Sequence, residues 1–377
     1  MFCKKRAAGR SGEAETKMKV LYLINYAGKS GIEKYVENLS RLGPAAGVTP
    51  YLAFSVAGPL SEKLAAAGVA SLQLSLEWKD ALRAAKTLAE YCRANGIEVI
   101  HAQCPRENII ALLARRRAPE LRVVFTDHFT RRVGLPWRLL YRHFTPRNHC
   151  CIAVCGEGRQ VLTDNGCDPS RIRVIHNGIA PSPPPPRTDK LRRELELSPD
   201  CFVILCAARY EPEKGLDFLV RSLTRLREMT DRPFCCAIAG DGPLMEAVGA
   251  QAAAAGLERQ VRLLGYRTDM PELLGSADLY VCSSRCNEAL SFAILEAMNA
   301  GLPLVVTDVG GNRDLAETDM VCGCVVPFGD ENGFARGICS LMEDEALRLR
   351  WASAAREKSE KYYSLDRLAA DVFRAYE

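Results

Sequence analysis

The sequence predicts an α/β protein made of two doubly wound domains, each a parallel sheet with helices on both faces. Three observations carry that reading. The chain has 377 residues, more than one ordinary domain holds. Both halves alternate short apolar runs with segments of helical period, the pattern of parallel sheets covered on both faces. Between the halves, residues 181–186 read Pro-Ser-Pro-Pro-Pro-Pro, a stretch that can neither continue a helix nor pair inside a sheet. The division expected is a loose tail over residues 1–17, a first domain over 18–178, an exposed Pro-rich linker over 179–189, a second domain over 190–360 and a terminal helix within 361–377. Met18 is a possible alternative start.

In the first half, strands are expected at residues 20–25, 50–55, 99–102, 123–126, 152–154 and 174–175, with helices at 78–95 and 107–117. The first strand runs into Ala27-Gly-Lys-Ser-Gly31 and a helix with Tyr35, Val36, Leu39 and Leu42 on one face, giving strand, glycine loop, helix. In the second half, strands at 202–207, 236–239, 261–264, 279–282 and 304–307 each end in a glycine-bearing or polar loop. Ligands of open α/β sheets sit outside such carboxyl ends.

Composition excludes several classes. Hydrophobic residues at 48% and charged residues at 25% fit a globular enzyme rather than a disordered or fibrous chain. The longest apolar run, residues 201–208, falls far short of the ~20 residues that span a bilayer. No apolar segment follows the early basic residues as a secretory signal requires, so a cytoplasmic location is expected. The sixteen cysteines contain no C-x-x-C pair and mostly adjoin apolar residues, so they read as small buried thiols. Five histidines, none paired with a second ligand at zinc-like spacing, give no metal site.

The net charge of +4 conceals a polarity. Residues 1–180 hold 27 Lys and Arg against 15 Asp and Glu, and the remainder 23 against 31. Ten arginines crowd residues 106–147, interleaved with Phe129, Trp137, Leu139, Leu140, Tyr141 and Phe144. Such a stretch suits an anionic membrane surface or a phosphate-bearing acceptor, and equally a solvated helix face. No nucleic-acid partner is expected.

The residues that carry chemistry cluster in the second half. Arg209 and Lys214 flank a Glu-Pro-Glu turn directly after a buried strand, which sets two cations at the mouth of the sheet. Fixed cations there stabilise a diphosphate as it leaves; in an ordinary loop the same pair would serve solubility. Glu288 precedes a helix that opens near Leu290, Ser291 and Phe292, whose free N–H groups form an anion site. Glu296, in the second turn of that helix, is placed to accept hydrogen bonds from a ribose diol. Two carboxylates also occur in glycosidases, but a sheet-end helix beside Arg and Lys is built to hold phosphate.

The order Arg209-x4-Lys214-Gly215, Ala239-Gly240-Asp-Gly-Pro243, Leu264-Gly265-Tyr266, Glu288-x7-Glu296-Ala-Met-x-Ala-Gly-x-Pro and Gly310-Gly311 resembles the family 4 retaining glycosyltransferases. In the first half Gly31-Ile-Glu33, His101-Ala and Ile175-His-Asn177-Gly178-Ile are similar to the family's phosphate loop, strand-end signature and interdomain stretch. The likeness covers roughly residues 18–377.

It implies the GT-B arrangement, two Rossmann-like domains facing a cleft, with the terminal helix crossing back to the first domain. It also implies a nucleoside-diphosphate-sugar donor, a glycan, lipid-linked or small-molecule acceptor, and retention of anomeric configuration, in cell-surface polysaccharide or glycolipid synthesis. By it Arg209 and Lys214 bind the pyrophosphate, Glu296 the ribose and Glu288 the sugar, while His128 touches the transferred sugar. Gly31 admits the phosphate, and Gly240, Tyr266, Leu290, Ser291 and Phe292 complete the nucleotide-sugar site. Ser30 replaces one glycine of the usual pair and Ala289 the glycine after the first glutamate, which bears on donor choice. No D-x-D triplet occurs, so neither a metal nor another cofactor is expected. A dinucleotide oxidoreductase would need G-x-G-x-x-G after the first strand, which Gly28-Lys-Ser-Gly31 does not supply. A sugar-nucleotide epimerase or hydrolase and a non-catalytic binder are the remaining alternatives.

Overall fold

A computed structural model describes residues 18–28, 30–180, 182–286 and 288–377. The tail expected over residues 1–17 lies outside the described residues. The first sheet is formed by β1 (Met18–Tyr26), β2 (Val48–Val56), β3 (Ala70–Gln73), β4 (Val99–Ala102), β5 (Arg122–Asp127), β6 (Cys150–Ala153) and β7 (Ile172–Val174). They lie in the order β3-β2-β1-β4-β5-β6-β7. The second sheet holds β8 (Phe202–Ala207), β9 (Phe234–Ala239), β10 (Val261–Gly265), β11 (Leu279–Cys282), β12 (Leu304–Thr307) and β13 (Gly323–Val326), ordered β10-β9-β8-β11-β12-β13. Every strand pair is parallel. Strand order reverses between β1 and β4 in one sheet and between β8 and β11 in the other, and ligands favour the crevice at such switch points.

The strands form because their residues are buried on both faces. Val20, Leu21, Tyr22 and Leu23 in β1 and Val203, Ile204 and Leu205 in β8 have no accessible surface, as near-continuous apolar runs in parallel sheets require. Two strands carry no such run and were not foreseen. β3 is an edge strand whose residues are mostly exposed, and β13 is the short Gly-Cys-Val-Val segment completing the opposite edge. β6 begins at Cys150 rather than residue 152, because Cys150 and Cys151 pair with Val124 and Phe125 as buried apolar groups. The helix expected from residue 107 starts at Pro105, a residue suited to a first helical position. The fifteen cysteines among the described residues are all unpaired, eleven of them buried.

The end of the chain returns to the first domain, beside the residues that lead into the Pro-rich stretch. Ile179 donates its N–H to Tyr363 O at 2.9 Å, and Leu365 donates to Ile179 O at 2.8 Å. The helix Leu365–Arg374 then places Leu365, Leu368, Ala369 and Val372 on one face, at the spacing of an amphipathic stripe. That face joins Val20, Tyr22, Val36 and Leu39 in the core of the first domain. The tie ends in polar contacts: Tyr376 Oη lies 2.7 Å from His101 Nδ1, while His101 Nε2 lies 2.7 Å from Thr126 Oγ1.

Candidate functional site

The loops after β8 and β11, the two strands at the second switch point, are joined by an ion pair. The 3₁₀ turn Pro212–Lys214 closes on Gly215, whose left-handed φ of 59° is open to glycine. A Cβ there would come within 2.3 Å of Ser283 O. This close approach brings Lys214 Nζ to Glu288 Oε2, to which it donates at 2.7 Å. Ser284 Oγ donates to the same oxygen at 2.7 Å. Burial works against the Lys214 charge, but the Glu288 carboxylate outweighs it and holds the ammonium above the ordinary lysine range. Gly310, with φ 60°, passes so close beneath this loop that a Cβ would fall 1.3 Å from Glu288 O. The Gly310-Gly311 pair is therefore a requirement of packing.

Arg209 projects from the same turn with its side chain 67% exposed and donates to Glu213 Oε1 at 3.0 Å. Ser291 stands in extended conformation at the N-terminus of the helix Phe292–Asn299, and its side chain makes no capping hydrogen bond, which leaves the first N–H groups of that helix free for a ligand. A cleft cavity of about 820 Å³ gathers Arg209, Lys214, Glu288, Leu290, Ser291 and Phe292 from the second domain with Gly31 and His128 from the first. This volume lies in the range of small-molecule sites. Gly240 and Tyr266 border an adjoining cavity of about 500 Å³ that also reaches Arg209. Glu296 lies apart from these, at the mouth of a third cavity of about 480 Å³ on the hinge side.

From the first domain, Gly31 opens the helix Gly31–Leu42. Glu33 turns back to accept from Ser30 N–H at 2.7 Å, so the glutamate of Gly31-Ile-Glu33 caps its own helix. His128, at the end of β5, has its Nε2 2.9 Å from Gln103 Oε1. Since an amide oxygen only accepts, Nε2 carries the proton. Burial lowers the His128 pKa to about 3, so it faces the cleft as a neutral imidazole. Asp127 beside it is pushed up to about 7 by burial, against the Phe129 N–H that favours its charge.

Three side chains that sequence reasoning did not place in the site reach across the cleft. Thr130 Oγ1 donates to Glu288 O at 3.2 Å, and Asn177 Nδ2 donates to Leu290 O at 3.1 Å. Lys34 Nζ donates to Glu296 Oε1 at 2.5 Å. Asn177 carries a signal in its Asn-Gly interdomain stretch. Lys34 carries none, since a lysine on a helix face reads as solubility. Among the described residues no group of three or more His, Cys, Asp or Glu could hold a metal ion, and no helix is long and apolar enough to cross a membrane.

Two parallel-sheet domains that close on a shared polar cleft, with cations and a helix N-terminus at the second switch point, define a GT-B glycosyltransferase. The model of Glycosyltransferase Family 4 matches residues 29–182, and that of Glycosyl transferases group 1 matches residues 187–358. The chain belongs to this family of glycosyltransferases. It is 26% identical over 269 residues to the UDP-Gal:alpha-D-GlcNAc-diphosphoundecaprenol alpha-1,3-galactosyltransferase of Escherichia coli, covering 67% of this chain and 68% of that one. A glycosyltransferase from Rickettsia africae shares its fold with a TM-score of 0.85 at 20% identity, over 96% of this chain and 98% of the other. HepE of Anabaena, solved in complex with UDP, does so with a TM-score of 0.81 at 20% identity, over 95% and 99%.

Proposed function

We propose that the chain is a retaining, metal-independent hexosyltransferase that moves a sugar from a nucleoside-diphosphate donor to a hydroxyl of a glycan, lipid-linked or small-molecule acceptor, in cell-surface polysaccharide or glycolipid synthesis. The observation that carries the proposal is the meeting of Arg209, Lys214, Glu288 and the Phe292–Asn299 helix start in one cavity. The two cations and the helix N–H groups supply positive potential where a diphosphate would leave. In this reading Glu288 sits beside the transferred sugar, His128 reaches the same sugar from the facing domain, and Glu296 takes the ribose. Gly240 and Tyr266 border the space left for the base. UDP in the HepE complex and a UDP-Gal donor in the name of the E. coli relative support a nucleotide sugar here. The absence of a D-x-D triplet from the sequence supports catalysis without a divalent cation.

A lipid-linked acceptor is favoured by one further surface. On the helix Leu135–Phe144, Leu135 and Leu139 are 67% and 60% exposed, close in sequence to the exposed Arg138 and Arg142. Trp137 of that helix meets Trp78 in a tilted contact, with ring centres 5.9 Å apart. Apolar side chains interleaved with arginines suit peripheral contact with an anionic membrane, here at its inner face. Binding to phosphatidylglycerol vesicles should then fall steeply with salt, since ~1 M reduces the Debye length to about 3 Å. An absence of vesicle binding at every salt concentration would assign a soluble acceptor instead.

The transferase reading is tested by following free nucleoside diphosphate while panels of UDP-, GDP- and ADP-sugars are incubated with EDTA, with and without lipid and glycan extracts. Release that requires an acceptor and survives EDTA is expected. Release without acceptor would indicate an epimerase or hydrolase, and binding without release a non-catalytic protein.

A further inference from the structure

Glu296, which the proposed function gives to the ribose, is already engaged. Its partner is Lys34, on the first domain's helix Gly31–Leu42, at 2.5 Å. Both side chains keep solvent access, 44% for Lys34 and 36% for Glu296, so the pair can open without leaving a buried charge. The ammonium also lies 5.1 Å from the centre of the Phe292 ring, a cation–π contact at the first residue of the helix that carries Glu296. The same ring is 3.5 Å from where a Cβ on Gly31 would stand. Lys34 borders both the cleft cavity and the cavity that Glu296 lines. No other hydrogen bond to the Glu296 carboxylate occurs among the described residues.

We propose that Lys34 is a positioning residue that occupies the ribose carboxylate in the empty enzyme, tethers the two domains there, and must be displaced by the donor's diol. The inference rests on the proposed role of Glu296. It follows from crowding at one acceptor: a diol donating to both Glu296 oxygens must either share Oε1 with the ammonium 2.5 Å away or displace it, and displacement is the course proposed. Donor binding is thereby coupled to release of the interdomain tie, and the tie weakens any ligand lacking a ribose diol less than one that has it.

The test compares wild type, Lys34→Met, Glu296→Gln and the double variant in two measurements. Calorimetry with UDP, GDP and ADP, and with the 2′,3′-dideoxy form of whichever binds, should show Lys34→Met binding the diol nucleotide several-fold more tightly. The dideoxy form should bind equally well with and without Lys34, and the gain should vanish in the Glu296→Gln background. Weaker nucleotide binding in Lys34→Met, or an equal gain for the dideoxy form, overturns the proposal. Amide hydrogen exchange on the ligand-free proteins reads the tie itself. Exchange in residues 31–36 and 288–296 should speed up equally in the two single variants and no further in the double. Unchanged exchange in both overturns the tie. If none of the three nucleotides binds wild type, the proposed function fails, and hydrogen exchange still decides whether the tie exists.

Discussion

Lys214 Nζ stands 2.7 Å from Glu288 Oε2, so the cation expected at the leaving diphosphate and the carboxylate expected at the sugar form one unit. The two side chains are only 20% and 9% exposed, and each compensates the buried charge of the other.

Stability follows from that burial. Removing one partner strands the other, and loss of one half of a buried pair costs about 3 kcal/mol. Lys214→Ala and Glu288→Ala should each lower the denaturation midpoint, and the double variant should regain part of the loss, giving a coupling energy of about 1 kcal/mol or more. Equilibrium unfolding in urea of the four proteins measures it. Additive losses in the double variant would show that the pair is incidental.

Glu288 and Glu296 are expected to separate by role. Glu296 lies in the second turn of its helix, and among the described residues its carboxylate hydrogen-bonds to Lys34 alone, so Glu296→Ala should chiefly raise the donor's KM, the mark of a contact made equally in ground and transition states. Glu288 faces the cleft cavity beside Lys214 and His128. Glu288→Gln should therefore lower kcat by an order of magnitude or more while changing donor affinity less, because its charge matters most as positive charge develops on the sugar. Steady-state kinetics on the two variants decide it, and equal changes in KM alone would remove Glu288 from the chemistry.

His101 sets a pH dependence of folding. Burial, with a smaller contribution from His128, lowers its pKa to about 3, against about 6.5 in an unfolded chain. The folded state thus excludes a proton that the unfolded chain binds below pH 6.5, and the stability this group contributes is present above that pH and lost as pH falls towards 3. Asp127, raised to about 7, acts in the opposite sense between about pH 4 and 7, so the comparison must be made between wild type and His101→Gln. The difference in unfolding free energy between them should change by about 1.4 kcal/mol per pH unit from pH 6 to pH 4. Parallel stability curves would show that the imidazole titrates normally.

Much of the fold was legible because parallel strands announce themselves as apolar runs, as in β1 and β8. β3 and β13 escaped because they are edge strands, β3 mostly exposed and β13 only partly buried at its two central residues, so neither carries a fully buried apolar run. Within the site, Arg209 and Lys214 were legible at the carboxyl end of a buried strand because their loop is marked by Pro212 and Gly215, whereas Glu288 stands in a loop without either residue and was legible only from the helix that follows it. The pairing of Lys214 with Glu288 was not visible, and neither was the hold of Thr130 on Glu288 across 158 residues of sequence. These contacts depend on how two domains meet, which no local pattern records. Glu296 was placed correctly on its helix, but its engagement by Lys34 makes it an interdomain residue as well as a candidate ribose ligand.

Arg209 and Lys214 are expected to hold a diphosphate, and calorimetric titration of nucleoside diphosphates into wild type and the Arg209→Ala/Lys214→Met variant measures that hold. Arg209 is exposed and pairs with Glu213 at 3.0 Å, so its loss should cost folding at most about 1 kcal/mol. Hydrogen bonds between charged groups are strong, and loss of two such contacts should weaken diphosphate binding at least 10-fold while leaving the feeble binding of the bare nucleoside unchanged. Wild-type affinity for the diphosphate in a folded double variant would show that these two cations do not hold it.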